Sequence, residues 1–175
     1  MLIVFGGLPG TGKTTLAKAI ANRYSAVYLR IDTIEMAIRS TDTLRDDIGP
    51  AGYVVAYWVA EENLRLGRIV VADSVNPLQI TRESWSLVAR NANVPLVEVE
   101  VLCSDPDEHR RRIESKKPDL DGLSPLTWAN VCQRKYEAWS APHLVIDTAG
   151  KSVAETEKEL MDRLSAAAHR RPEDA

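Results

Sequence analysis

The chain has 175 residues, a length that suits one domain better than two independently folding ones. Hydrophobic residues make up 45% and charged residues 27%, ordinary globular usage that excludes disorder, collagen-like repetition and a coiled coil. Lys and Arg total 22 against 25 Asp and Glu, and the resulting formal charge of −3 disfavours a general nucleic-acid coat while leaving room for a local basic patch.

No apolar run approaches the roughly 20 residues that a bilayer crossing requires. Met1 leads straight into Leu2-Ile3-Val4-Phe5 with no basic region before it, so the expectation is an unexported, cytoplasmic protein with no membrane partner. The two cysteines, Cys103 and Cys132, lack metal-ligand spacing and read as free thiols in a reducing compartment.

In chain order, short β-rich apolar runs alternate with longer helical patterns. A strand over 2–5 precedes a helix over 13–24. A strand over 26–31 is followed by helices over 33–40 and 52–66. The strand over 69–72 leads to a helix over 80–91, and the strand over 96–102 to helices over 106–115 and 125–138. A last strand over 144–146 precedes a helix over 153–168. This alternation predicts an α/β domain with a mainly parallel sheet. The first and third strands are continuous apolar runs, suited to the middle of a sheet covered on both faces. Residues 115–124 carry Lys116, Lys117, Pro118, Asp119, Asp121 and Gly122 with little that is apolar, which predicts an exposed, mobile loop. A single domain over 1–168 results, with a lid near 110–124 and a frayed tail over 169–175.

Gly7-Leu8-Pro9-Gly10-Thr11-Gly12-Lys13-Thr14 fits the pattern G-x-x-x-x-G-K-[ST] without a mismatch, and it follows an apolar strand and opens a helix, as the pattern requires. Its glycines allow backbone N–H groups to turn inward around phosphate oxygens, and the helix start adds its positive dipole end. Lys13 would reach the β- and γ-phosphates of ATP. Thr14 would place a hydroxyl on Mg²⁺, and Thr15 follows on the same rim.

The acceptor side is read from the other strand ends. Asp32 closes the second strand on the carboxyl edge of the sheet, placed to accept a proton from an acceptor hydroxyl or to cap the following helix. Arg39, about two helical turns on, would orient a substrate or lie on the surface. Asp73 ends the third strand, where a carboxylate suits Mg²⁺ through water or a turn before Asn76-Pro77. Arg82 faces the acceptor pocket or solvent. Arg110, Arg111, Arg112, Lys116 and Lys117 concentrate cations at the lid; Arg112 and Lys116, four apart, share a helix face and form the best phosphate-binding pair, unless the run is a solvated face. Arg134 and Tyr136 would approach the same pocket. Tyr53, Tyr57 and Trp58 either cover it or pack in the core.

With these residues in place, the chain resembles small P-loop kinases of the AAA-type ATP-binding group that holds phage-type polynucleotide kinase, chloramphenicol phosphotransferase, zeta toxins, gluconate kinase and adenylylsulfate kinase. Residues 7–14, the end of the Asp32 strand, residues 70–77 and the lid around Arg112 carry the likeness, and residues 70–77 look most like polynucleotide kinase. The resemblance implies a three-layer P-loop fold, with a parallel five-stranded sheet in the order 2-3-1-4-5. It implies that Asp32 is the base, that Lys13 and the lid cations hold the phosphates, and that the loop at 148–153 lies by the adenine. The sequence departs from the group in offering no long basic groove and in carrying Lys116 where many relatives have arginine. The expected activity is transfer of the γ-phosphoryl of ATP to a hydroxyl of a small molecule. A 5′-hydroxyl nucleic-acid end and a nucleotide-gated regulatory ATPase are the alternatives.

Overall fold

The computed structural model describes residues 1–41, 48–115, 117 and 125–168. Five strands, β1 (Leu2–Gly6), β2 (Val27–Arg30), β3 (Val70–Asp73), β4 (Leu96–Leu102) and β5 (Leu144–Asp147), form one sheet in the order β2-β3-β1-β4-β5. Every neighbouring pair is parallel. β1 lies in the middle, as its unbroken apolar run requires: Leu2, Ile3, Val4 and Phe5 are completely buried, because both faces of a parallel sheet are covered by its crossover helices.

The pleat divides the core. Ile3, Phe5, Val71, Val99, Val101 and Ile146 face α1 (Lys13–Arg23) and α7 (Val153–Ala168), where Leu16, Ile20, Leu160 and Leu164 meet them. Leu2, Val4, Val70 and Ala72 face the other way, onto α3 (Ala51–Arg65) and α4 (Gln79–Asn91), which supply Ala56, Ala60, Leu64, Trp85 and Val88. The helices α2 (Ile31–Arg39), α5 (Pro106–Ser115) and α6 (Trp128–Cys132) complete the three layers. Cys103 is buried, Cys132 is exposed, and both are free thiols. Among the described residues no helix is long and apolar enough to cross a membrane.

Two expectations need correction. β2 does not run on to Asp32: it ends at Arg30, which is itself the residue preceding the first turn of α2, so the helix starts at Ile31 and Asp32 lies in its first turn without capping it. Burial of Ile31 against the α3–α4 face pulls it out of the strand, and a carboxylate in the first turn suits the helix dipole. The helix expected over 125–138 is one short piece, α6. Thr127 opens it with a capping box to Asn130, but after Cys132 the chain is drawn into contacts with the rest of the protein: the Glu137 N–H donates to the Pro77 carbonyl at 2.8 Å. Most of the loop expected over 115–124, with Lys116, and the tail at 169–175 lie outside the described residues.

Candidate active site

The P-loop leaves β1 at Gly7 and enters α1 at Lys13. Gly7 adopts φ 139° and Gly10 φ 85°, a region open to glycine. Space is short as well: a Cβ on Gly7 would run into the Val101 carbonyl, and one on Gly10 would lie 2.6 Å from the Ile113 Cδ1. Two of the loop's carbonyls, those of Leu8 and Thr11, are tied by hydroxyls. Thr11 donates its hydroxyl to the Leu8 carbonyl at 3.0 Å, and Thr148 shares its hydroxyl proton between the carbonyls of Thr11 and Leu102, both at 3.0 Å. In a trans peptide the carbonyl and the next N–H point in opposite directions, so the Thr11 carbonyl held against Thr148 turns the Gly12 N–H the other way, whereas the Leu8 carbonyl precedes Pro9, which has no N–H to aim. A cleft of about 450 Å³ opens there, lined by Gly10, Gly12, Lys13, Thr14, Thr15, Arg112 and Thr148 among others.

Arg112 reaches this cleft from α5 and is held from two sides. It donates to the Thr148 hydroxyl at 2.7 Å, to the Thr148 carbonyl at 3.0 Å and to the Glu108 carboxylate at 2.6 Å. Glu108 also accepts the Gly150 N–H at 2.9 Å, and that hydrogen bond, chiefly, holds its carboxyl below the usual range. The partner described for Arg112 is therefore Glu108, one turn before it, while Lys116 lies outside the described residues. Glu108 escaped the sequence reading, although its spacing of four from Arg112 was visible.

Asp73 ends β3 beside Phe5 of β1, close to where the P-loop begins. It is 2% exposed. Its Oδ2 accepts the Tyr28 hydroxyl at 2.7 Å, and its Oδ1 is buried with no hydrogen-bond partner among the described residues. A bare, buried carboxylate oxygen is costly unless something fills its place. Water bound to a divalent cation supplies that donor, so Asp73 and the Thr14 hydroxyl fit Mg²⁺. Among the described residues there is no cluster of three His, Cys, Asp or Glu to hold a metal otherwise.

Asp32 has the opposite environment. Its side chain is 44% exposed, and its Oδ2 lies 3.2 Å from the buried Arg30 guanidinium. Glu35, one turn along the same helix, is half-buried against Gly52 of α3, which has no Cβ to exclude it. Burial, and then the nearby Asp32, push its carboxyl above the usual range; Arg39 and Arg134 pull it back. Asp32, Arg39 and Arg134 are thus the charged groups that act on Glu35, with Arg39 exposed at the end of α2 and Arg134 beyond α6 rather than on a helix. Glu35 is another residue that the sequence reading missed; the signal was its spacing of three from Asp32. Tyr53 borders this group, its hydroxyl accepting the Asn76 N–H at 3.1 Å. Tyr57 is core, edge-on to Trp85 with ring centres 4.6 Å apart, and Trp58 faces solvent.

Arg82 is neither solvated nor turned to an open pocket. It is 6% exposed and donates to the carbonyls of Asn76, Pro77, Glu137 and Ala138 at 3.1, 3.1, 2.6 and 3.0 Å, with its guanidinium 4.3 Å from the Trp139 ring centre. The sequence reading of Arg82 as a substrate contact gives way to a structural clamp. Tyr136 is likewise occupied, donating to Glu100 at 2.9 Å and accepting the Trp139 indole N–H at 2.8 Å.

Beside that clamp lies Glu98, 8% exposed, with Oε1 buried and without a partner among the described residues. Burial raises its carboxyl above the ordinary 4.5, against the opposing pull of His143 and Arg82. A carboxyl raised on folding favours the protonated folded state, so its contribution is complete below pH 4.5 and is lost as pH climbs through the folded value. In Glu98→Gln that loss is absent. The thermal midpoint of the variant relative to wild type is expected to move upward as pH rises from 4 to 8; melting curves of both proteins across this range test it, and a constant difference contradicts it.

Comparison with known proteins bears on the fold and the family. A "Probable adenylyl-sulfate kinase" of Aeropyrum pernix is 25% identical over 163 residues, covering 84% of this chain and 82% of that protein. Among solved structures, Kti12 of Chaetomium thermophilum in complex with ADP-AlF3 superposes with a TM-score of 0.64 at 21% identity, covering 95% of this chain and 98% of that one. The Mycobacterium tuberculosis APS kinase CysC in complex with AMPPNP and APS gives 0.63 at 21% identity, covering 94% and 96%. These likenesses show a P-loop kinase fold. The AAA_33 family model, described as an AAA domain, matches residues 2–131, and the chain belongs to that family.

Proposed function

We propose that the protein is an ATP-dependent phosphotransferase that moves the γ-phosphoryl of ATP to a hydroxyl of a small-molecule acceptor. One observation carries this reading: the carboxylate that ends β3 and the one in the first turn of α2, just past the neighbouring β2, have opposite environments. Asp73 is buried with one bare oxygen, and the Asp32 side chain is 44% exposed. A nucleotide-binding module has use for the first and none for the second. The A. pernix relative and the P-loop kinase fold support it.

The amides of the P-loop and Lys13 bind the β- and γ-phosphates. Thr14, and Asp73 through water, would hold Mg²⁺, which supplies neutralisation of the phosphate charge when bound. Arg30 fixes the Asp32 carboxylate through Oδ2, leaving Oδ1 to take the acceptor proton. As that O–H bond breaks, the acceptor oxygen bonds to the γ-phosphorus. The bond from the γ-phosphorus to the bridging oxygen breaks, its electron pair leaves with ADP, and Asp32 returns the proton to solvent. Arg112 neutralises the phosphoryl oxygens, whose charge the transition state spreads.

Arg112→Ala is therefore expected to lower kcat by about a hundredfold or more while weakening ATP binding much less, because the contact strengthens in the transition state. Steady-state rates beside an ATP titration separate the two. Equal losses in both would make Arg112 a ground-state anchor only.

The reading itself is tested by ATP consumption over a panel of polyols, sugar acids, amino alcohols and adenylylsulfate. Oligonucleotides bearing 5′-hydroxyl ends belong in that panel because residues 70–77 resemble polynucleotide kinase, and transfer to them at low salt would move the acceptor class to nucleic acid. ATP turnover that no hydroxyl compound raises, but that a protein partner does, would make the chain a nucleotide-gated regulator instead.

A further inference from the structure

His109 stands outside every role assigned so far, yet it touches the phosphate loop. It lies on α5, one turn before Ile113, and is 6% exposed. Its Nε2 is 2.7 Å from the Pro9 carbonyl oxygen. A carbonyl only accepts, so Nε2 carries the proton, whether the ring is the neutral Nε2–H tautomer or the imidazolium. The ring is fixed on another side by Trp128 of α6, edge-on with centres 5.1 Å apart. Its Cδ2 would lie 3.2 Å from a Cβ on Gly10, so glycine is what lets the ring come this close.

We infer that His109 is a positioning residue for nucleotide binding: by donating from Nε2 to the Pro9 carbonyl it fixes the Pro9–Gly10 peptide with the Gly10 N–H turned toward the phosphates. Pro9 is the loop residue with the fewest local means of fixing this peptide. It has no N–H of its own, and the glycine after it is the most freely rotating residue type. The carbonyls on either side, Leu8 and Thr11, are tied by Thr11 and Thr148. Without His109 the peptide between them can flip, turning an acceptor oxygen toward the polyphosphate in place of a donor. The Gly10 and Gly12 wall of the cleft is where that matters. The role is indirect, since His109 orients an amide and does not itself contact nucleotide.

The test compares three variants by titration with ATP and Mg²⁺, with thermal midpoints measured on the same samples. His109→Gln keeps a donor at the position of Nε2, His109→Phe keeps the ring and its Trp128 contact without a donor, and His109→Ala removes both. The expected result is an ATP dissociation constant raised about tenfold in Phe and Ala, the loss of one oriented donor to an anion, and within about threefold of wild type in Gln. Should Phe fail to fold, Ala against Gln makes the same comparison. Wild-type affinity in Phe or Ala would overturn the inference, and an intact Phe beside an impaired Gln would show that the ring acts by shape alone; a loss in Gln equal to that in Phe would overturn it too, because a donor restored at the position of Nε2 would not restore binding. The titration needs no acceptor, so failure to find one bears on the phosphotransferase reading and not on His109. A wild-type protein that does not bind ATP would remove both.

Discussion

Asp32→Asn is expected to bind ATP as wild type does and to phosphorylate its acceptor about 10²–10⁴-fold more slowly, the range that a positioned general base contributes. The substitution is close to isosteric. The asparagine oxygen can still accept from Arg30, so the first turn of α2 and its contact with the buried guanidinium persist while the proton acceptor is lost. The comparison is kcat with a saturating acceptor beside an ATP titration. A reduced kcat with unchanged ATP affinity locates the defect in proton transfer. An unchanged kcat removes Asp32 as base and transfers attention to Glu35, the carboxylate one turn along α2, for which Glu35→Gln is the parallel variant.

The second large effect is on stability. Arg82→Met keeps an apolar stem of similar length and removes the guanidinium, so the carbonyls of Asn76, Glu137 and Ala138 lose the donor seen here, while that of Pro77 keeps the Glu137 N–H. An unsatisfied buried carbonyl costs about 1–3 kcal/mol, and water will reach some of them, which sets the expected loss at about 3–5 kcal/mol. For a chain of this size that corresponds to a fall of roughly 10 °C in thermal midpoint. The stack on Trp139 goes too, and with it the wedge holding that indole against Gly6, where a Cβ would lie 2.6 Å from the ring. Arg82→Lys is expected to rescue little, since one ammonium cannot span four carbonyls that a planar fork reaches. Urea and thermal unfolding measure both variants. A loss below about 1 kcal/mol would mean that the carbonyls find other donors.

What was legible in the sequence was whatever depends on local pattern. The strands could be located because a parallel sheet covered on both faces demands continuous apolar runs, and 2–5 and 69–72 supply them. The phosphate loop could be located because its chemistry lies in backbone turns that demand glycines at fixed offsets, with lysine and threonine at the helix start. The sheet order, taken from family resemblance, is the observed one.

What the tertiary structure alone decided were roles set by partners distant in sequence. Arg82 looked like any helix arginine, and only the return of the chain at 137–139 makes it a clamp. The same return ends the expected helix over 125–138 early: the Glu137 N–H, which a helix would give to the Gln133 carbonyl, goes to the Pro77 carbonyl. His109 is a hundred residues from Pro9 and Thr148 still farther from Thr11, so no spacing announced either contact. Asp32 was placed on the right edge but in the wrong element, since burial of Ile31 determines where β2 gives way to α2. Periodicity and motif spacing report a residue's relation to its near neighbours along the chain. Burial, and the donors and acceptors that burial obliges to pair, depend on which distant segments meet, and only the folded chain brings them together.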